Sequence, residues 1–274
     1  MKKVLMTALA ALAVTTAAPA FAADMPVKAP KMVVAAPSPW DIAFGVAFTT
    51  DYRLRGVSQT NKKPAVQGYF ELQYNVNDWL KLYAGLWGSS LASYNANAEI
   101  DISGGARMAF GNFGLDLGYV YYYYPDGTAG TNAFGSFGEF YAKPSYKIAD
   151  WLTVGGTVDY GPNFNNGYLI VGSKDAGYYS GNLMITLPWS PAGITISLNP
   201  EIGRQWFKCT GCTDYSYWDV GLIFNYKAAT LDLRYWDTSK HNTFLAPAAF
   251  GGKDLAGSTF VATLKFDTTW SALK

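Results

Sequence analysis

Between Trp40 and Arg55 the side chains alternate. Trp40, Ile42, Phe44, Val46, Phe48, Tyr52 and Leu54 occupy even positions, whereas Asp41, Thr49, Asp51, Arg53 and Arg55 occupy odd ones. Successive side chains of a β-strand point to opposite faces, so a strand here has one oily face and one wet face. Eleven further segments repeat the pattern, from Pro64–Val76 to a last one that sets Phe260, Ala262, Leu264 and Phe266 against Thr259, Thr263, Lys265 and Asp267. Apolar residues facing lipid opposite a polar lumen are the signature of a transmembrane β-barrel.

The connections alternate as well. Tight turns are expected at Asn77, Gly111, Ala149, Ser190 and Ala228, each after an even-numbered segment, and longer loops after the odd-numbered ones, including one near Asn95. Outer-membrane barrels have short periplasmic turns and longer extracellular loops, so both termini are expected in the periplasm. Asn77-Asp78-Trp79-Leu80 and Ala149-Asp150-Trp151-Leu152 repeat a turn-then-Trp arrangement that would set Trp79 and Trp151 at the membrane interface. Pro200 counts against the ninth segment, Ile194–Lys208, because proline removes a ladder donor.

Composition agrees with this reading. Charged residues make up 15% of the chain, against about 25% in an average soluble domain. With 20 Tyr and 9 Trp, the sequence suits a wall in hydrocarbon with rims at the headgroups. A formal charge of +1 offers no basic field for nucleic acid. At the start, Met1-Lys2-Lys3, the apolar run Val4–Val14 and Ala20-Phe21-Ala22 read as a secretory signal peptide over 1–22. Residues 23–39, rich in Pro, Ala and Val, read as an extended periplasmic lead-in. The expected fold is a single up-and-down antiparallel barrel of about 12 strands over 40–274, in the bacterial outer membrane.

Charges cannot face lipid cheaply, so alternation assigns them to the lumen. The expected pore-lining set is Asp51, Arg53, Arg55, Glu71, Lys81, Glu99, Asp101, Arg107, Glu139, Lys143, Asp232 and Arg234. Two readings stand side by side. Arginines such as Arg53, Arg55, Arg107 and Arg234 can act on anionic or hydroxyl-rich solutes through forked donors, or the same charges can form internal salt bridges that plug the lumen. Lumen aromatics, among them Tyr83, Trp87, Tyr122, Tyr141 and Trp236, can offer faces to sugars or simply fill a narrow barrel.

Cys209 and Cys212, the two cysteines of the chain, are expected to form a small loop disulfide, since the signal peptide directs them to an oxidising compartment. No metal-ligand cluster, phosphate-cradling loop or cofactor motif appears. His241, the one histidine, sits beside Lys240 and Asn242. An outer-membrane hydrolase built on it is disfavoured, and no enzyme activity is expected. The expected partners are outer-membrane lipid and a small polar solute, with the lipid-facing wall also offering a surface for a homo-oligomer.

The run Thr49-Thr50-Asp51-Tyr52-Arg53-Leu54-Arg55-Gly56-Val57-Ser58-Gln59, then Lys63-Pro64-Ala65-Val66-Gln67-Gly68, resembles the opening of the TorF-like porin family of Gram-negative bacteria. Leu82-Tyr83-Ala84-Gly85-Leu86-Trp87-Gly88-Ser89-Ser90 resembles a later block. The resemblance covers about fifty residues and implies an outer-membrane barrel acting as a porin, without naming its solute. The pattern of a lipid-facing wall around a polar lumen points to passive diffusion of small polar solutes or ions. A sealed structural or surface-binding barrel is the alternative. Many outer-membrane barrels end on an aromatic residue, whereas this chain runs past Phe266 and Trp270 to Lys274.

Overall fold

The computed structural model describes residues 38–93, 96–125, 136–162, 175–208, 212–241 and 253–274. The expected signal peptide and the lead-in as far as residue 37 lie outside these. Among the described residues fourteen strands follow in chain order. They are β1 (Trp40–Thr49), the short pair β2 (Arg53–Leu54) and β3 (Val57–Ser58), β4 (Ala65–Asn75), β5 (Leu80–Ser93), β6 (Ala96–Phe110) and β7 (Phe113–Tyr123). Then come β8 (Phe137–Ala149), β9 (Leu152–Pro162), β10 (Asp175–Thr186), β11 (Thr195–Phe207), β12 (Tyr215–Tyr226), β13 (Ala229–Thr238) and β14 (Thr259–Thr269).

Twelve of these close into one antiparallel barrel, and β2–β3 form a separate two-stranded hairpin. Closure is made by β14 against β1, with Val46 opposite Phe266 and Phe48 opposite Leu264. A closed ladder leaves no wall strand with an unsatisfied edge, the condition for β-structure in a bilayer.

Alternation sorts the faces as the sequence predicts. On the outside Ile102 is 50% exposed and Phe260 80%, while on the inside Glu99 and Glu139 are fully buried. Large apolar groups left uncovered are costly in water and stable in lipid. At the tight-turn end Trp40, Trp79, Trp151, Trp189 and Trp270 are all exposed, an aromatic girdle of the kind that sits at headgroup level. The turn before β5 is made by Asn77, whose side-chain oxygen accepts from the backbone N–H of Trp79 at 3.1 Å and of Leu80 at 2.9 Å.

Two local expectations are corrected, and the ninth expected strand is present despite its proline. The first strand does not run to Arg55 but ends at Thr49, whose hydroxyl donates to the Asp51 carbonyl at 3.0 Å. No long loop separates β5 from β6, because these strands reach 14 and 15 residues and pair as far as Ser93 and Ala96. Pro200 lies inside β11, and the ladder to β10 is interrupted beside it. There the Asn199 side-chain amide donates to the Leu183 carbonyl at 2.7 Å, so a side chain serves an acceptor that the interrupted ladder leaves over.

Candidate functional site

The chain leaves β1 at Thr49 and folds into the barrel. Asp51 organises the turn inward: its carboxylate accepts from the Ser58 hydroxyl at 2.5 Å, the Thr60 hydroxyl at 2.9 Å and Arg53 Nε at 3.0 Å. One acid thus ties both arms of the β2–β3 hairpin to its root. Arg53 Nη1 also donates to the Gly56 carbonyl at 2.7 Å, bracing the hairpin from within.

Arg55 and Gly56 form the two-residue tip, with φ of 49° and 84°. Two positive φ values are what a type I′ hairpin turn demands, and glycine meets that demand without strain. A Cβ on Gly56 would also lie 2.7 Å from Tyr217 Cβ and 2.8 Å from Thr238 Cγ2, so the backbone here is pressed against the β12–β13 wall. Arg55 occupies the left-handed region despite carrying a side chain, a conformation that costs about 1–3 kcal/mol and persists only where the surroundings fix it.

Those surroundings lie across the lumen. Arg55 Nη1 donates to Glu139 Oε1 at 2.9 Å and to Gln205 Oε1 at 2.8 Å, and Nη2 donates to Glu139 Oε2 at 2.6 Å and Asp159 Oδ2 at 2.7 Å. The guanidinium carbon lies 4.3 Å from the centre of the Tyr178 ring. Strands β8, β9, β10 and β11 therefore all grip a residue that hangs from β1. Behind it Val57, Ser58, Gln59 and Thr60 are buried, and Ser58 N–H donates to the Leu255 carbonyl at 2.9 Å. Tyr52 donates to Glu99 Oε1 at 3.0 Å. Burial, and then the Glu99 carboxylate, push the Tyr52 phenol well above its ordinary range, so it stays a donor.

Two more charge networks line the inner face. Arg107 forks onto Glu71 at 2.6 and 2.7 Å, reaches Asp116 at 3.1 Å and lies 3.9 Å from the Tyr83 ring centre. Lys81 joins through Gln73 at 2.9 Å, and Lys143 lies 4.4 Å from the Tyr141 ring centre. Gly105 and Gly118 stand opposite each other in β6 and β7, leaving room for the hydroxyls of Tyr83 and Tyr141 to bond over them. In the third network Arg234 binds Asp219, Asp232 at 2.9 Å and Asn199 Oδ1 at 2.9 Å.

The expected site residues thus fall into separate groups. Asp51, Arg53 and Arg55 are not on the wall, as continued alternation implied, but on the hairpin, with Glu139 as the Arg55 partner. Glu71, Lys81, Arg107 and Lys143 gather along β4, β5, β6 and β8. Glu99 and Asp101 share the inner face of β6, beneath Tyr52. Asp232 and Arg234 pair on β13. Sequence reasoning did not single out Gln205, Tyr178, Tyr217 or Asn199. The alternation Asn199, Glu201, Gln205 in β11 was there to find Asn199 and Gln205, but Pro200 obscured it.

Beneath the hairpin, on the β1 side, the lumen holds a cavity of about 370 Å³ bounded by Asp51, Arg53, Trp87, Asp232, Trp236 and Lys265 among others. Elsewhere, Cys212 is disulfide-bonded, and its expected partner Cys209 lies outside the described residues. His241 contacts Asp237 at 2.8 Å and Asp254 at 3.6 Å, fastening the end of β13 to the segment before β14.

Residues 34–267 match a family described as a bacterial protein of unknown function, Gcw_chp. No curated protein matches the sequence. A structure from work on the in-meso crystallization of membrane proteins superposes with a TM-score of 0.54 at 9% identity, covering 84% of each chain. The COG4313 outer membrane channel from Pseudomonas putida F1 gives 0.49 at 12% identity, covering 88% of this chain and 99% of that one. The NanC porin gives 0.48 at 9%, covering 84% and 98%. These likenesses concern the fold. The chain belongs to the Gcw_chp family of bacterial proteins and is an antiparallel 12-stranded β-barrel of the outer-membrane type.

Proposed function

We propose that this barrel is a porin-like channel through which small polar solutes or ions diffuse, with the hairpin of residues 51–60 as its constriction. The observation that carries the reading is the polar inner face: three arginine-centred networks line it, one of them beside a cavity, while the outer face is apolar. A barrel that only needed to be filled could use apolar side chains. Buried ion pairs are costly to assemble, and a water-filled path is a physical reason to keep them. The long-loop end, where the hairpin originates, faces the exterior in this reading, and the Trp girdle marks the periplasmic rim. Kinship with the TorF-like porin family belongs to the same proposal and rests on the blocks Thr49–Gln59 and Leu82–Ser90.

A second reading is favoured by one observation: the hairpin residues Val57, Gln59 and Thr60 are almost wholly buried, so the lumen is filled at their level. On that reading the barrel is sealed and its work is structural. Refolded protein added to a planar bilayer separates the two. Discrete ohmic current steps are expected of the channel, and their absence from protein shown to be folded by its heat-modifiable gel migration favours the sealed barrel.

A further inference from the structure

We infer that the cavity under the hairpin is a binding chamber for a neutral, hydroxyl-rich solute of saccharide size. This rests on reading the lumen as a solute path and names the solute class. Its volume of about 370 Å³ falls within the range of about 300–1,000 Å³ typical of small-molecule sites.

The walls decide the chemistry. Trp87 on β5 and Trp236 on β13 stand two strands from β1 in opposite directions, so two indoles flank the chamber. Indole faces accept the apolar face of a sugar ring. The other lumen aromatics are already engaged: Tyr83 and Tyr141 bond each other, and Tyr122 stacks on Phe137 at 4.5 Å. Trp87 meets Tyr52 at 5.4 Å and Trp236 meets Tyr217 at 5.8 Å, yet both also border the cavity.

Arg53, Arg234 and Lys265 face the chamber against Asp51 and Asp232, and Asp219 and Asp267 stand behind as partners of Arg234 and Lys265, so the charges are largely committed. Arg234 spends all three of its guanidinium nitrogens on Asp219, Asp232 and Asn199. Lys265 binds Asp267 at 2.8 Å. Two further groups stand unpartnered. Arg53 Nη2 and Asp232 Oδ1 are buried without a hydrogen-bond partner among the described residues, and both residues border the cavity. An anion would satisfy Arg53 and be repelled by Asp51 and Asp232. A hydroxyl both donates and accepts, so adjacent hydroxyls on a neutral ring can serve both groups with a modest side-chain adjustment. The hydroxyls of Thr49, Thr230 and Thr263 already donate to Asp51, Asn225 and Thr49 respectively, so towards the chamber they serve as acceptors.

The test is calorimetric titration of the folded full-length protein in a non-glycosidic detergent with glucose, sucrose, gluconate and alanine. Saturable binding of glucose or sucrose is expected, with gluconate and alanine at least about tenfold weaker. Trp236→Ala and, separately, Trp87→Phe are expected to weaken saccharide binding, by about tenfold for the truncation. Trp206→Ala, which does not border the chamber, is expected to leave it unchanged. The Trp87→Phe variant keeps the packing against Tyr52, so it reports on the chamber even if the alanine variant fails to fold. Tighter binding of gluconate or alanine, no binding of either saccharide, or saccharide binding insensitive to Trp87→Phe and Trp236→Ala overturns the chamber. Because binding is read without current, conduction without saccharide binding rejects the chamber alone, and absence of conduction rejects the channel alone.

Discussion

Arg55, at the tip of a hairpin rooted in the first strand, donates to both carboxylate oxygens of Glu139 on the far wall, at 2.9 and 2.6 Å. Both side chains are nearly excluded from solvent, and Asp159 and Gln205 complete the socket. This single relationship turns a loop into a crossbar. It also sets the energetic scale, because removing one partner of a buried ion pair leaves an uncompensated charge worth about 3–5 kcal/mol.

Arg55→Ala is therefore expected to release the hairpin from the β8–β11 wall, raising single-channel conductance severalfold while the barrel stays assembled. Arg55→Lys is expected to fall between, since one ammonium cannot reproduce a fork shared among Glu139, Asp159 and Gln205. Bilayer recording of the two variants checks the order.

Gly56→Ala tests the same crossbar without touching a charge. Its φ of 84° and the approach to Tyr217 and Thr238 leave no place for a Cβ. The expected outcome is a conductance close to that of Arg55→Ala, and faster proteolysis within residues 50–63 than in the parent protein.

The lipid-facing assignment is tested by a matched pair on β14. Leu264→Arg puts a charge on the exposed outer face and is expected to cost about 2–4 kcal/mol near the bilayer midplane. Thr263→Arg turns inward and is expected to cost less. Denaturant unfolding in lipid vesicles measures both.

Asn199→Ala removes the amide that serves the Leu183 carbonyl beside Pro200 and one acceptor of Arg234. A loss of about 1–3 kcal/mol is expected in the same unfolding assay, concentrated on the β10–β11 pair.

Most of the wall was legible because lipid outside and water inside impose a period of two on every strand. The girdle tryptophans Trp79 and Trp151 were readable for the same reason, sitting next to turns that Asn77 and Asp150 announce. The crossbar was not. Asp51, Arg53 and Arg55 alternate with Tyr52 and Leu54 just as wall residues do, and a short hairpin buried in a lumen has the same periodicity as the strand it leaves. The Arg55-Gly56 pair was the one local cue to a turn, and it gave no hint of the four strands that would receive it. The lengths of β5 and β6 were also hidden, because a longer loop was expected near Asn95, whereas the ladder runs on through Ser89 and Ser90 to Ser93 and Ala96.

Whether the hairpin narrows a solute path is read from single-channel conductance before and after replacing residues 52–60 with a short Gly-Ser linker. Small or infrequent steps are expected for the intact protein and a severalfold larger, steadily open conductance for the excised one. Equal conductance in the two, with both proteins folded, would contradict that narrowing.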